Sequence, residues 1–229
     1  AFEDAVSEYA RIVRAGAAAG ADLIFFETFT DLYELKAALL AAKENSTLPI
    51  LASMSFEAGG RTFTGCTVES FGVTARGLGA SAVGINCSLG PKEIFPMAKR
   101  LAEAVPGNFP VFVKPNAGLP RADGSGYDIT PQLFALQMKP YRELHLFAAG
   151  GCCGTTPEFI KLLNGTFAGC TPGRPAHRMP HTAHCTPHPV YRMPHPVYCT
   201  PDAAHRVPQD GPRAHRQPLT GTKRGGRRT

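Results

Sequence analysis

Three cysteines carry the most specific chemistry in this chain: Cys87 and the adjacent pair Cys152 and Cys153. Each closes a short apolar run, Cys87 after Gly-Ile-Asn and the pair after Ala-Ala-Gly-Gly. Three thiolates on one divalent ion favour zinc, the soft-ligand choice, and leave one tetrahedral position open. Zinc with three thiolates carries a net negative charge, so it is a poor generator of hydroxide. An incoming thiol, with an ordinary pKa of about 8.5, would lose its proton there and keep an electron-rich sulfur. The site suits alkylation of a thiolate better than hydrolysis. Two plainer readings stand beside this one: a Cys-Cys pair packed in a core, or a closed four-ligand structural site. Cys66, in a loop rich in Gly and Thr, reads as incidental but is the best internal candidate for a fourth ligand.

What must position these residues is a repeating strand-helix unit. Apolar runs at Leu23–Phe26, Ile50–Phe56, Ala82–Asn86, Val111–Val113 and Leu144–Ala149 are continuous, as in strands buried on both faces. Between them the spacing turns helical, with stripes at Leu32, Leu35, Leu39 and Ala42 and at Ile94, Ala98, Leu101 and Val105. Thr130-Pro131 and Thr156-Pro157 mark helix starts, each a capping hydroxyl followed by proline. Ala5, Tyr9, Ile12 and Val13 predict a helix before the first strand.

The polar residues that close the strands are Glu27, Ser55, Cys87, Asn116 and Cys152, about 30 residues apart, which matches a barrel of eight units in roughly 250 residues. All the chemically capable side chains therefore fall at the C-terminal ends of strands, the active face of such a barrel. No Gly-x-Gly-x-x-Gly follows a strand, which weakens a dinucleotide-binding reading. The expected fold class is α/β: a partial (β/α)8 TIM-type barrel holding about the last five strand-helix units in residues 1–165. Unclosed, it would expose two strand edges and part of its inner face.

Composition changes abruptly after residue 165. Residues 1–165 hold 14 basic and 16 acidic side chains, leaving 10 and 2 for residues 166–229, so the chain's excess positive charge lies in the tail. Pro180, Pro187, Pro194, Pro201 and Pro208 recur every seventh residue, which excludes a continuous helix or a central strand. The tail is expected to be a disordered Pro/His/Arg-rich segment. Casual metal binding, nonspecific polyanion binding and a tandem DNA repeat translated out of frame all fit it; the last fits its periodicity best. The globular part gives no electrostatic reason to expect a specific nucleic-acid partner. No apolar run approaches the 18 or so residues that span a bilayer, and no basic leader opens the chain, so no membrane role is expected. Free thiols fit a cytoplasmic protein.

Gly-Ile-Asn-Cys (84–87), Lys-Pro-Asn-Ala-Gly (114–118) and Gly-Gly-Cys-Cys-Gly-Thr-Thr-Pro-Glu (150–158) resemble the homocysteine S-methyltransferase family. With Phe-Phe-Glu-Thr-Phe-Thr-Asp (25–31) and Gly-Arg-Thr-Phe-Thr-Gly (60–65), they are most similar to its cobalamin-dependent methionine synthase subgroup, specifically the homocysteine-binding module. The resemblance covers residues 1–165. It implies zinc on Cys87, Cys152 and Cys153, homocysteine sulfur as fourth ligand, and methylcobalamin on a separate module as methyl donor. It further implies that Glu27 engages the substrate ammonium and that Asn116 lies near the open zinc position. Cobalamin- and folate-binding modules of a larger parent are the implied partners. The family's first strand, with its Asp-Gly motif, and the next two units have no counterpart here, so the chain is expected to be a fragment. Betaine or an S-methyl sulfonium compound as donor, and a zinc-binding interaction protein without catalysis, are the alternatives.

Overall fold

The computed structural model describes residues 1–170 and turns this pattern into alternating helices and strands. They are α1 (Phe2–Ala18), β1 (Ile24–Phe29), α2 (Leu32–Asn45), β2 (Ile50–Met54), α3 (Val68–Gly77) and β3 (Ala82–Asn86). There follow α4 (Pro91–Ala104), β4 (Val111–Lys114), α5 (Pro131–Met138), a 3₁₀ turn (Lys139–Leu144), β5 (Ala148–Ala149) and α6 (Pro157–Phe167). All neighbouring strands pair parallel, in the order β1-β2-β3-β4-β5. Chain order without reversal is the barrel arrangement; a doubly wound sheet would reverse at a switch point. Consecutive helices pack on one another along the outside of the arc, from α1 on α2 to α5 on α6.

The two predicted stripes form the helix-sheet core. Leu35, Leu39 and Ala42 of α2 are fully buried, as are Ala98 and Leu101 of α4, and Ile94 and Val105 join them. Each buried leucine or isoleucine contributes about 1.5–3 kcal/mol relative to exposure. Thr130 caps α5 as expected, its hydroxyl oxygen accepting from the Leu133 N–H at 3.3 Å. Thr156 occupies the cap position of α6 but makes no side-chain cap bond, so Pro157 alone marks that start.

Some boundaries depart from the sequence pattern. The run Leu144–Ala149 yields a strand only at Ala148–Ala149, because Lys139–Leu144 wind into the 3₁₀ turn. That turn buries Tyr141, whose hydroxyl donates to the Pro91 carbonyl at 2.5 Å. β1 runs on past Phe26 to Phe29, with an irregular register between them. α6 continues to Phe167, beyond the compositional break at residue 165. The predicted tail lies, from residue 171, outside the described residues.

β2, β3 and β4 are buried along nearly their whole length, whereas Glu27 and Thr28 in β1 are exposed. Among the described residues the arc is open at β1 and β5, and the inner face near β1 is wetter than that near β3. No helix among the described residues is long and apolar enough to cross a membrane.

Candidate metal centre

Cys87 and the Cys152–Cys153 pair sit at the ends of β3 and β5, with β4 between them. The Cys87 N–H donates to the Lys114 carbonyl at 3.1 Å, extending the β3–β4 ladder by one residue. Cys87 and Ser88 then adopt φ of 64° and 63°, uncommon for non-glycine residues, and the Leu89 N–H closes the turn on the Cys87 carbonyl at 2.8 Å. Pairing with the β4 segment also persists past β5. Gly150 N–H donates to Val113, Cys152 N–H to Pro115, and Ala117 N–H to the Cys153 carbonyl, all at 2.8–2.9 Å. Backbone from three adjacent strand ends thus fixes the three cysteines.

Adjacent side chains on an extended strand point to opposite faces. Cys152 and Cys153 escape this because a turn begins between them. The Thr155 N–H donates to the Cys152 carbonyl at 3.2 Å, and the Thr155 hydroxyl does so at 2.7 Å. Gly154, third in that turn, has φ 77°, where turns of type II place glycine. The flexible Gly150-Gly151 step does not supply the twist: neither glycine has a positive φ, and the bend falls at Cys153-Gly154. Gly151 is required for space, since a Cβ there would run into the Thr155 side chain.

The three sulfurs lie within 4.8 Å of one another, Cys87 and Cys153 being 3.6 Å apart. Zn–S bonds of about 2.3 Å at tetrahedral angles put sulfurs about 3.8 Å apart, so the donor set fits zinc. Cys153 is exposed and the other two are half-buried, which leaves an approach for a fourth ligand. Cys66 stands apart, its thiol donating to the Thr67 carbonyl at 3.3 Å and raised in pKa by burial and then by Asp31. It is not in the cluster, which removes the closed four-ligand alternative among the described residues.

Asn116 is buried, and its side-chain oxygen accepts the Cys153 N–H at 3.0 Å. Glu27 lies inside β1 and not at its end, and forms an ion pair with Lys114 across the inner face. Their side chains are 37 % and 29 % exposed, so the pair is open to solvent and to ligand. Beneath it Phe25 meets the Phe112 ring edge-on at 5.4 Å, and the Lys114 ammonium sits 5.2 Å from the Phe25 ring. Gly84 gives Phe112 its room, since a Cβ there would overlap the ring.

Three site residues escaped the sequence reading. Lys114 opens the Lys-Pro-Asn-Ala-Gly motif, and a lysine at a barrel strand end was a usable signal. Asn86 precedes Cys87 within a motif already singled out. Tyr127 carried no signal: it lies in a hairpin-like loop, bridged to Pro120, that folds its ring over Gly154. Partial burial, then the charge of the Cys153 sulfur, pushes the Tyr127 phenol up.

Known proteins share sequence and fold with this chain. The family model for homocysteine S-methyltransferase matches residues 1–167. The methionine synthase of Mycobacterium leprae (strain TN) is 33 % identical over 162 residues, covering 67 % of this chain and 13 % of that protein. That of Mycobacterium tuberculosis (strain ATCC 25618 / H37Rv) is 35 % identical over 150 residues, covering 62 % and 12 %. This chain thus matches only a small part of each relative's length. The apo crystal structure of the homocysteine methyltransferase MmuM from Escherichia coli superposes with a TM-score of 0.60 at 22 % identity, over 72 % of this chain and 57 % of that one. Its metallated form gives 0.54 at 24 %, over 70 % and 51 %. These structural likenesses establish the shared fold.

Proposed function

Because the chain belongs to the homocysteine S-methyltransferase family, we propose that it holds zinc and homocysteine for methyl transfer to the homocysteine sulfur, giving methionine. The observation that carries this reading is the convergence of the Cys87, Cys152 and Cys153 sulfurs within 4.8 Å on an accessible face. Bound zinc would lower the proton affinity of an incoming thiol while leaving its sulfur nucleophilic. Cys87, Cys152 and Cys153 are its proposed ligands, and Asn116 holds Cys153 in place through its backbone N–H.

Glu27 is the proposed anchor for the substrate ammonium, since a fixed carboxylate orients a cation through charge-assisted hydrogen bonds. Its present partner is Lys114, so substrate must displace or share that lysine. Phe25 and Phe112 give the inner face an apolar floor beneath the Glu27–Lys114 pair. The proposed methyl donor is methylcobalamin carried on another module, supported by the likeness to two methionine synthases. Cobalamin- and folate-binding modules are the corresponding proposed partners, and the reducing cytoplasm is the proposed compartment.

The test offers L-homocysteine with methylcobalamin, betaine or S-methylmethionine to the zinc-loaded chain and measures methionine. Product with methylcobalamin alone, lost in Cys152→Ser, is expected. Product with betaine or the sulfonium compound would overturn the donor assignment. A chain without zinc above background would overturn the whole reading. Zinc binding without turnover is the second reading, favoured by the exposure of Glu27 and Thr28 on the open edge strand.

A further inference from the structure

The geometry points to Asn86 as a positioning residue that orients the zinc ligand Cys152 and ties it to the strand carrying Glu27. Asn86 has no solvent exposure, and all of its side-chain hydrogen-bonding capacity is used. Its oxygen accepts from the Thr28 backbone N–H at 3.2 Å and from the Ser53 hydroxyl at 2.8 Å. Its NH₂ group donates to the Thr28 hydroxyl at 2.6 Å and to the Cys152 sulfur at 3.7 Å. A backbone N–H can only donate, so the Thr28 contact fixes which amide atom is oxygen and leaves the NH₂ facing Cys152. The donor to the sulfur is thus set by chemistry, not by a free choice of rotamer.

Thr28 reinforces the inference. It is β-branched yet has φ 65°, and the strand register slips between Phe26 and Phe29. Such a conformation is strained for a β-branched residue and persists only where surroundings over-determine it. Both its backbone N–H and its hydroxyl are held by the Asn86 side chain. One amide therefore clamps the residue beside Glu27 and steadies a thiolate at the other end of the site. A hydrogen bond to a metal-bound thiolate fixes its direction and takes part of its negative charge, and loss of comparable outer contacts costs about 10–100-fold in metal affinity.

This inference rests on the zinc reading above, and the test separates the two. The whole chain is loaded with ¹¹³Cd in place of zinc, and coupling between the metal and the Asn86 side-chain NH₂ protons is sought by NMR. Coupling through the Cys152 sulfur is expected. A chain that binds cadmium and shows couplings to its cysteines, but none to Asn86, overturns the inference and leaves the zinc reading intact. A chain that binds no metal overturns the zinc reading itself. In parallel, Asn86→Asp, which replaces the NH₂ by oxygen, is expected to weaken zinc about 10–100-fold in chelator competition. Equal affinity in Asn86→Asp and the unaltered chain would also overturn the inference. Should Asn86→Asp fail to fold, the cadmium coupling decides alone, since it needs no substitution.

Discussion

The two halves of the site are built differently. The cysteine corner lies where β3, β4 and β5 end, and backbone hydrogen bonds to Lys114, Pro115 and Ala117 fix every ligand-bearing segment. The Glu27 corner lies on β1, which among the described residues is an edge strand with one neighbour, an irregular register and an exposed carboxylate. All three proposed metal ligands lie within the described residues. The amino-acid half has Glu27 and Lys114 facing an open arc. The proposed metal binding and substrate binding are therefore expected to be separable in this chain.

Substitutions can break that comparison at either end. Cys152→Ser should abolish stoichiometric zinc, while Cys66→Ser should leave it unchanged; metal analysis after gel filtration checks both. An equal loss in Cys66→Ser would erase the distinction between cluster and bystander. Glu27→Gln should weaken homocysteine binding about 10–100-fold, the loss expected for a hydrogen bond to a charged group of about 1.5–3 kcal/mol, with zinc affinity unmoved. Calorimetry with L-homocysteine reads the first effect and chelator competition the second. Gly154→Ala should cost of order 1–3 kcal/mol in denaturant unfolding, because φ is 77° and the new methyl would meet Tyr127. It should weaken zinc as well, since the turn sets Cys153.

The smallest effect concerns the scaffold. Arg100 makes two hydrogen bonds to Glu69, at 2.6 and 2.9 Å, and holds its carboxyl down to about 2 from the usual 4.5. A lowered folded-state pKa contributes stability above pH 4.5 and loses it as pH falls toward 2. Glu69→Gln should flatten that acid limb of thermal stability by less than about 1 kcal/mol, because the pair is only half-buried and screened by solvent. Zinc affinity at neutral pH should not change.

Much of this was legible in the residues. Continuous apolar runs, 3.6-residue stripes and Thr-Pro starts placed five strands and every helix but α3 (Val68–Gly77), because buried parallel strands and amphipathic helices leave such patterns. The three cysteines were legible because their chemistry is specific and they close strands. Less visible was anything set by tertiary contact. Nothing local marks Tyr127 as the ring over Gly154, or Lys114 as the partner of Glu27. Flexibility alone would put the bend that aligns the vicinal cysteines at Gly150-Gly151, whereas hydrogen bonding by Thr155 puts it at Cys153-Gly154. The β5 run was shortened because Tyr141 needed burial under α4, a demand its own neighbours do not encode.

X-ray absorption at the zinc edge, with and without L-homocysteine, tests the central claim most directly. Three sulfurs and one lighter atom around zinc, becoming four sulfurs on addition of homocysteine, is the predicted result. Fewer than three sulfurs without substrate, or a sulfur count unchanged by saturating homocysteine, would contradict it.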